Sequence, residues 1–275
     1  MSLIFAALLA AAGVQASDAP PATPALPGAA PPLPSAEQRV AQSASIGRLL
    51  YLFDRAAWTS TDAVTATVAK DQLTGVGGYV VELADPQTLR VTYYRGAGDA
   101  ARAFFVADVR AGQVVRKELL ATPVALSADQ AILARARTVA AARAVERGYK
   151  PCTAFPFNTV VLPSRNGGPI AVYLLSAMPD ATTYPMGGNY RVVVASDGSV
   201  VASRPYTVSC LNVPIPKLPA GAKPVGVTVT HLLDPVPTEI HVFASYSLRM
   251  PVIVATSDKQ VWVVQGSSIT PAKFK

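Results

Sequence analysis

The chain holds two histidines, His231 and His241, and they bracket a single run, HLLDPVPTEIH. Residues 225–232 and 239–245 read as strands on either side of it. Paired as a hairpin centred near Val236, they would set the two imidazoles opposite each other. Glu239 would share the face of His241, because side chains two apart in a strand point the same way. Two imidazoles and a carboxylate on one face could hold zinc or another divalent metal. Val229 and Phe243 fall on those same faces, and Pro235 and Pro237 loosen the register. The competing reading is therefore a pair of histidines at the edge of a core, bonded to backbone.

Cys152 and Cys210 are the only cysteines. An even count in an exported chain predicts a disulfide. Closing so long a loop would contribute roughly 4 kcal/mol, less any native strain. A cysteine nucleophile would need a base, and neither histidine sits in a familiar cysteine-protease context. The third candidate region is the loop Met178–Asn189, MPDATTYPMGGN, with Tyr184 and Met186 at its middle. Long loops on β scaffolds often carry binding, so these two residues mark an expected contact surface.

Familiar catalytic signatures are missing: there is no G-x-S-x-G, no H-E-x-x-H and no Walker A run. Gly75, Gly77 and Gly78 do not form a dinucleotide fingerprint, because a strand rather than a helix follows them. A Ser–His–Asp triad or a pair of glycosidase carboxylates leaves no local mark and is not addressed by motifs.

These candidates must be positioned by a chain of 275 residues, with 15% charged residues and a net charge of +7. The mean hydropathy of +0.31 permits a large core. The basic residues are interleaved with acids along the whole length, unlike the stripe expected of a nucleic-acid binder. No nucleic-acid partner is therefore expected.

Residues 1–16, MSLIFAALLAAAGVQA, read as a secretory signal ending in a small-x-small cleavage pattern. No basic residue precedes its apolar run, so a retained, tethering signal is the alternative. Residues 17–34 are a Pro/Ala-rich linker, expected to be extended and disordered. No integral span is expected once the signal is removed.

The region 35–126 reads as a helix plus a β-meander. Ser35 and Gln38 form a capping box, opening a helix over about 36–57. Thr59–Asp62 reads as a break before a short second helix reaching about Lys70. Strands at 79–83, 89–94, 104–109 and 114–119 follow, joined by short turns.

A dividing helix spans 127–148, with a second capping box at Ser127 and Gln130 and a glycine stop at Gly148. Ile132, Ala136, Val139 and Ala140 form its packing stripe. Arg135, Arg137, Arg143 and Arg147 lie largely off that stripe, as a solvated face or a basic surface.

Residues 149–275 read as an antiparallel β-rich region, with further strands at 159–162, 170–176, 190–195, 200–204, 252–256 and 261–265. Three hairpins, at 104–118, 192–204 and 252–266, resemble one another, mainly through Val and Ala.

The fold expected is α+β: an N-terminal helix and meander, then the dividing helix, then a larger antiparallel sheet or sandwich fastened by one disulfide. The function expected is an exported, non-catalytic binding or structural protein of a bacterial-type envelope. It would be periplasmic or secreted, need no cofactor, and bind a protein or an envelope polymer. The alternatives are an exported metal-dependent hydrolase using His231, His241 and Glu239, and an inhibitor-type protein with one protein partner.

Overall fold

A computed structural model of the chain describes residues 34–164, 167–215, 217, 219, 221–222 and 225–273. The expected signal, residues 1–16, lies outside the described residues, as does the linker up to residue 33. Everything below belongs to one unit that begins at Ser35.

Helix α1 runs Ala36–Thr67 and opens with both halves of the Ser35/Gln38 capping box. It is one continuous helix, not the two pieces expected. The polar run at Thr59–Asp62 does not break it, because its hydroxyls turn back on the helix. Thr59, Thr61, Thr65 and Thr67 each donate to the carbonyl four residues earlier, an alternative that serine and threonine always offer. Tyr93 then fastens this stretch from outside. Its hydroxyl bonds Ser60 Oγ at 2.9 Å and Thr61 Oγ1 at 2.8 Å.

Four antiparallel strands follow: β1 (Val76–Asp85), β2 (Thr88–Arg95), β3 (Arg102–Arg110) and β4 (Gln113–Ala125). They form a meander in the order β1-β2-β3-β4. One face carries Val81, Val91, Tyr93, Phe105, Ala107 and Val109 against Leu50, Phe53, Ala56 and Val64 of α1. With the buried Ser60 between Ala56 and Val64, these α1 positions recur every three or four residues, so one stripe of the helix covers the sheet.

Helix α2 (Ala128–Glu146) starts at the Ser127/Gln130 capping box. It buries Leu133, Ala136 and Ala140 between Val80 and Tyr94 of the meander and Val161, Val172 and Val192 of a second sheet. Alanines at these positions let both sheets approach closely. Two of its three arginines are drawn inward rather than left on a free basic face. Arg137 donates to the Thr159 carbonyl at 3.1 Å, and Arg143 donates to Ser203 Oγ at 3.2 Å.

The second sheet holds β5 (Asn158–Leu162), β6 (Ile170–Leu175), β8 (Tyr190–Val194) and β9 (Val200–Pro205), in the order β5-β6-β8-β9. Between β6 and β8, β7 (Thr183–Pro185) leaves the sheet. It pairs antiparallel with β10 (Asn212–Pro214) as a two-stranded ribbon. The predicted disulfide is present at the edge of that ribbon. Cys152 and Cys210 are joined with Cα atoms 5.3 Å apart, closing a separation of 58 residues. Gly188 lies against the bridge at φ +68, and a Cβ there would sit 2.7 Å from Cys152 Sγ. Both its backbone conformation and its space exclude a side chain.

The third sheet contains β11 (Val227–His231), β12 (Val252–Thr256), β13 (Val261–Gln265) and β14 (Ser268–Pro271). Here the expectation of an all-antiparallel hairpin at 225–245 fails. Residues Glu239–Leu248 are helix α3, and β11 runs parallel to β12. A parallel pair needs a crossover connection, which α3 supplies.

The misreading has a physical cause. Glu239, Ile240, His241, Val242, Ala244 and Ser245 are all buried. A helix covered on nearly every side has no polar face, so its 3.6-residue period is invisible in sequence. Helices α1 and α3 cross at Gly47, where a Cβ would lie 2.4 Å from Val242 Cβ. Across all the sheets, the class is α+β with mostly antiparallel pairing.

Candidate functional site

The strand–helix corner between β11 and α3 does bring the two histidines together. Their ring centroids lie 4.7 Å apart, edge to face. His231 Nε2 is 2.8 Å from Asp234 Oδ2. His241 Nδ1 accepts from the Thr238 backbone N–H at 3.0 Å, taking the place of the glutamate in a capping box. Burial, with the nearby His231 ring, pushes the His241 imidazole down to about 3. It is neutral at any physiological pH.

Glu239 does not join them. Its Oε1 accepts from Tyr173 Oη at 2.9 Å, from Arg191 Nη1 at 2.9 Å and from the Tyr206 hydroxyl. Among the described residues no three His, Cys, Asp or Glu side chains are placed to share a metal ion.

The two parts are linked through arginine. Arg204 donates to both Asp234 oxygens, one at 3.0 Å, and its guanidinium lies 4.9 Å over the Tyr206 ring. Burial works to raise the Asp234 carboxyl, but His231 and Arg204 overcome it and hold the group well below the ordinary carboxylate range. Burial, aided by the Glu239 charge, raises both the Tyr173 and the Tyr206 hydroxyls. Each acid in this network already has two or more donors. The arrangement suits holding a corner of the fold better than moving protons.

A different arrangement lies at the other end of α3. A cavity of about 220 Å³ opens between α1, the loop after β6, β7 and the last turn of α3. Tyr51, Asp54, Tyr184 and Phe243 line it, with Arg55 and Arg249. Trp58 and Met178, both exposed, mark where it meets solvent. Tyr51 is held in place by stacking on Tyr246, ring centroids 5.1 Å apart.

Asp54 is only 9% exposed. Its carboxyl is raised to about 7 by burial, against the lowering influence of Arg55, and no hydrogen bond from the described residues reaches it. Arg249 ends α3 in the left-handed region at φ 55, where a non-glycine residue costs about 1–3 kcal/mol. A wider depression of about 570 Å³ lies beside the start of α2. Of its acids, Glu82 bonds Gln130 at 2.8 Å and Asp129 is exposed. It offers no comparable buried, unpartnered group.

Of the expected contact residues, Tyr184 lines the cavity. Met186 is buried in the core against Val227, Val252 and Val254. Sequence reasoning passed over Asp54, Arg55 and Arg249. The signal for Asp54 was an acid inside the apolar run LLYLFDRAAW, four residues from Leu50 and therefore on the buried stripe.

No protein-family model, no curated protein and no solved structure matches the chain. What architecture and site define is a class: a disulfide-bearing α+β protein with, among the described residues, three four-stranded sheets and a two-stranded ribbon, and a small, mainly apolar cavity with a few polar groups between its first and last helices.

Proposed function

We propose that the chain is an exported, non-catalytic binding protein of a bacterial-type envelope, and that the cavity beside Asp54 is where it binds. The observation that carries the reading is Asp54 itself. A buried carboxyl without donors is costly, and here it stands in the wall of an open cavity with aromatic rings beside it. Such convergence of apolar lining and a few polar groups is the usual form of a small-molecule site.

The signal-like residues 1–16 and the Cys152–Cys210 bridge support a periplasmic or secreted location. Among the described residues no helix is long and apolar enough to cross a membrane. A metal-dependent hydrolase on His231, His241 and Glu239 has less in its favour, because Glu239 is committed to Tyr173, Tyr206 and Arg191.

The test is a protein-observed NMR screen of the oxidised chain lacking residues 1–16, against small compounds of mixed charge. The exposed Trp58 indole serves as the reporter. Binding that Ser247→Trp abolishes by filling the cavity is the expected result. A screen without a single cavity binder overturns the reading and leaves a protein or polymer partner as the function to pursue.

A further inference from the structure

The lining of the Asp54 cavity specifies more than the existence of a ligand. Asp54 offers carboxylate oxygens that nothing in the described chain occupies. Arg55 and Arg249, both exposed, line the same cavity, and neither forms an ion pair or a side-chain hydrogen bond with any described residue. Tyr51, Phe243 and Leu175 supply apolar surface between them. The volume is about 220 Å³, whereas an apolar cavity of about 150 Å³ is enough to hold benzene. One ring or one branched aliphatic group with a short polar end is therefore the size that fits.

Charge narrows the class further. A simple amine would satisfy Asp54 but leave the two arginines, both exposed and so screened in part by solvent, without an anion and with a further positive charge beside them. A simple carboxylate would pair with the arginines but give Asp54 no cationic partner, and would hold its carboxyl in the neutral form. One molecule carrying both charges satisfies both walls. Arginine is suited to the carboxylate end, because its planar fork meets two oxygens at once.

Resting on the binding role proposed above, we infer that the cavity selects a compact zwitterion: an α-amino acid, or its chemical equivalent, with a small apolar or single-ring side chain. Its ammonium sits at Asp54, and its carboxylate lies between Arg55 and Arg249. Tyr51 and Phe243 flank the side chain.

Calorimetric titration of the oxidised chain with three matched probes tests this. The probes are L-phenylalanine, 2-phenylethylamine, which lacks the carboxylate, and 3-phenylpropanoate, which lacks the ammonium. L-Leucine is the aliphatic counterpart. At least one of the two amino acids should bind, and phenylalanine should exceed both of its truncated analogues by tenfold or more. Asp54→Asn should lower amino-acid affinity at least tenfold without weakening phenylpropanoate. Arg249→Gln should lower amino-acid affinity while sparing phenylethylamine. Arg55→Gln, at an exposed position, reads the same carboxylate contact as Arg249→Gln, and the phenylalanine-to-phenylpropanoate ratio on the unaltered chain reads the Asp54 contact should Asp54→Asn fail to fold.

Equal binding of phenylalanine and either truncated analogue overturns the inference. So does a cavity that binds compounds from the mixed-charge screen but neither amino acid, and in that case the binding role stands. A protein that binds nothing in either experiment loses both.

Discussion

Two acids on helices that cross one another have opposite surroundings. Glu239, at the first turn of α3, receives two tyrosine hydroxyls and a guanidinium. Asp54, on α1, receives nothing from the described chain. Both are nearly buried. The first has the solvation it lost replaced by fixed donors, and so holds β6, β8, β9 and α3 in one arrangement. The second is largely desolvated but has no fixed donor, so a ligand that enters the cavity supplies what the described chain does not. A buried acid thus marks a strut or a site according to its donors, not its burial.

The largest expected effect follows from removing the strut. Glu239→Ala leaves Arg191, Tyr173 and Tyr206 buried without their acceptor. It should lower stability by about 3–5 kcal/mol, as for other broken buried pairs. Urea denaturation monitored by circular dichroism checks this, and a loss under 1 kcal/mol would erase the contrast between the two acids.

Asp54→Asn should act in the opposite direction. The folded carboxyl is raised to about 7 from an unfolded value of 3.8. The wild-type contribution is therefore fully present below about pH 4 and is lost as pH rises through 7. The substitution should stabilise the free protein by up to about 4 kcal/mol at pH 8, and the gain should vanish by pH 4. Melting curves of both proteins across that range decide it.

Asp234 reverses the sign again, since His231 and Arg204 hold its carboxyl low in the folded state. Its stabilisation is present above pH 4 and declines as pH falls through its folded value. Asp234→Asn should cost about 1.5–3 kcal/mol at pH 7, the worth of hydrogen bonds to a charged group. It should also flatten the acid limb of the stability curve.

The smallest effect tests the crossing that both acids share. Gly47→Ala forces a methyl against Val242 and should cost about 1–3 kcal/mol through overpacking. It should weaken ligand binding as α1 and α3 move apart. Loss of stability with unchanged binding would separate the crossing from the cavity.

Legibility in the sequence followed the range of the forces involved. The Ser35/Gln38 and Ser127/Gln130 boxes, the turns of the meander and the single cysteine pair are local or have few solutions, and each stands as expected. Strands β7, β10 and β14 span only three or four residues, too short to show an alternation. Helix α3 was hidden by burial on nearly all sides. The histidines do meet, although the hairpin expected to join them does not form. Asp54 was legible only as an acid on an apolar stripe. That its carboxyl has no partner depends on α3, β7 and the loop before it, which arrive from the far half of the chain.

The Gly47–Val242 crossing also has a temporal meaning. The meander and its hairpins can zip up from neighbouring sequence, but α1 finds its helical partner only after β11 and α3 have emerged. Contacts between segments so far apart form late, because the intervening chain must be ordered first. A nascent chain would carry α1 with part of its surface uncovered almost to the end of synthesis. The face of α1 around Gly47 is therefore the last part of that helix to be locked into the fold, long after its meander-facing stripe is covered.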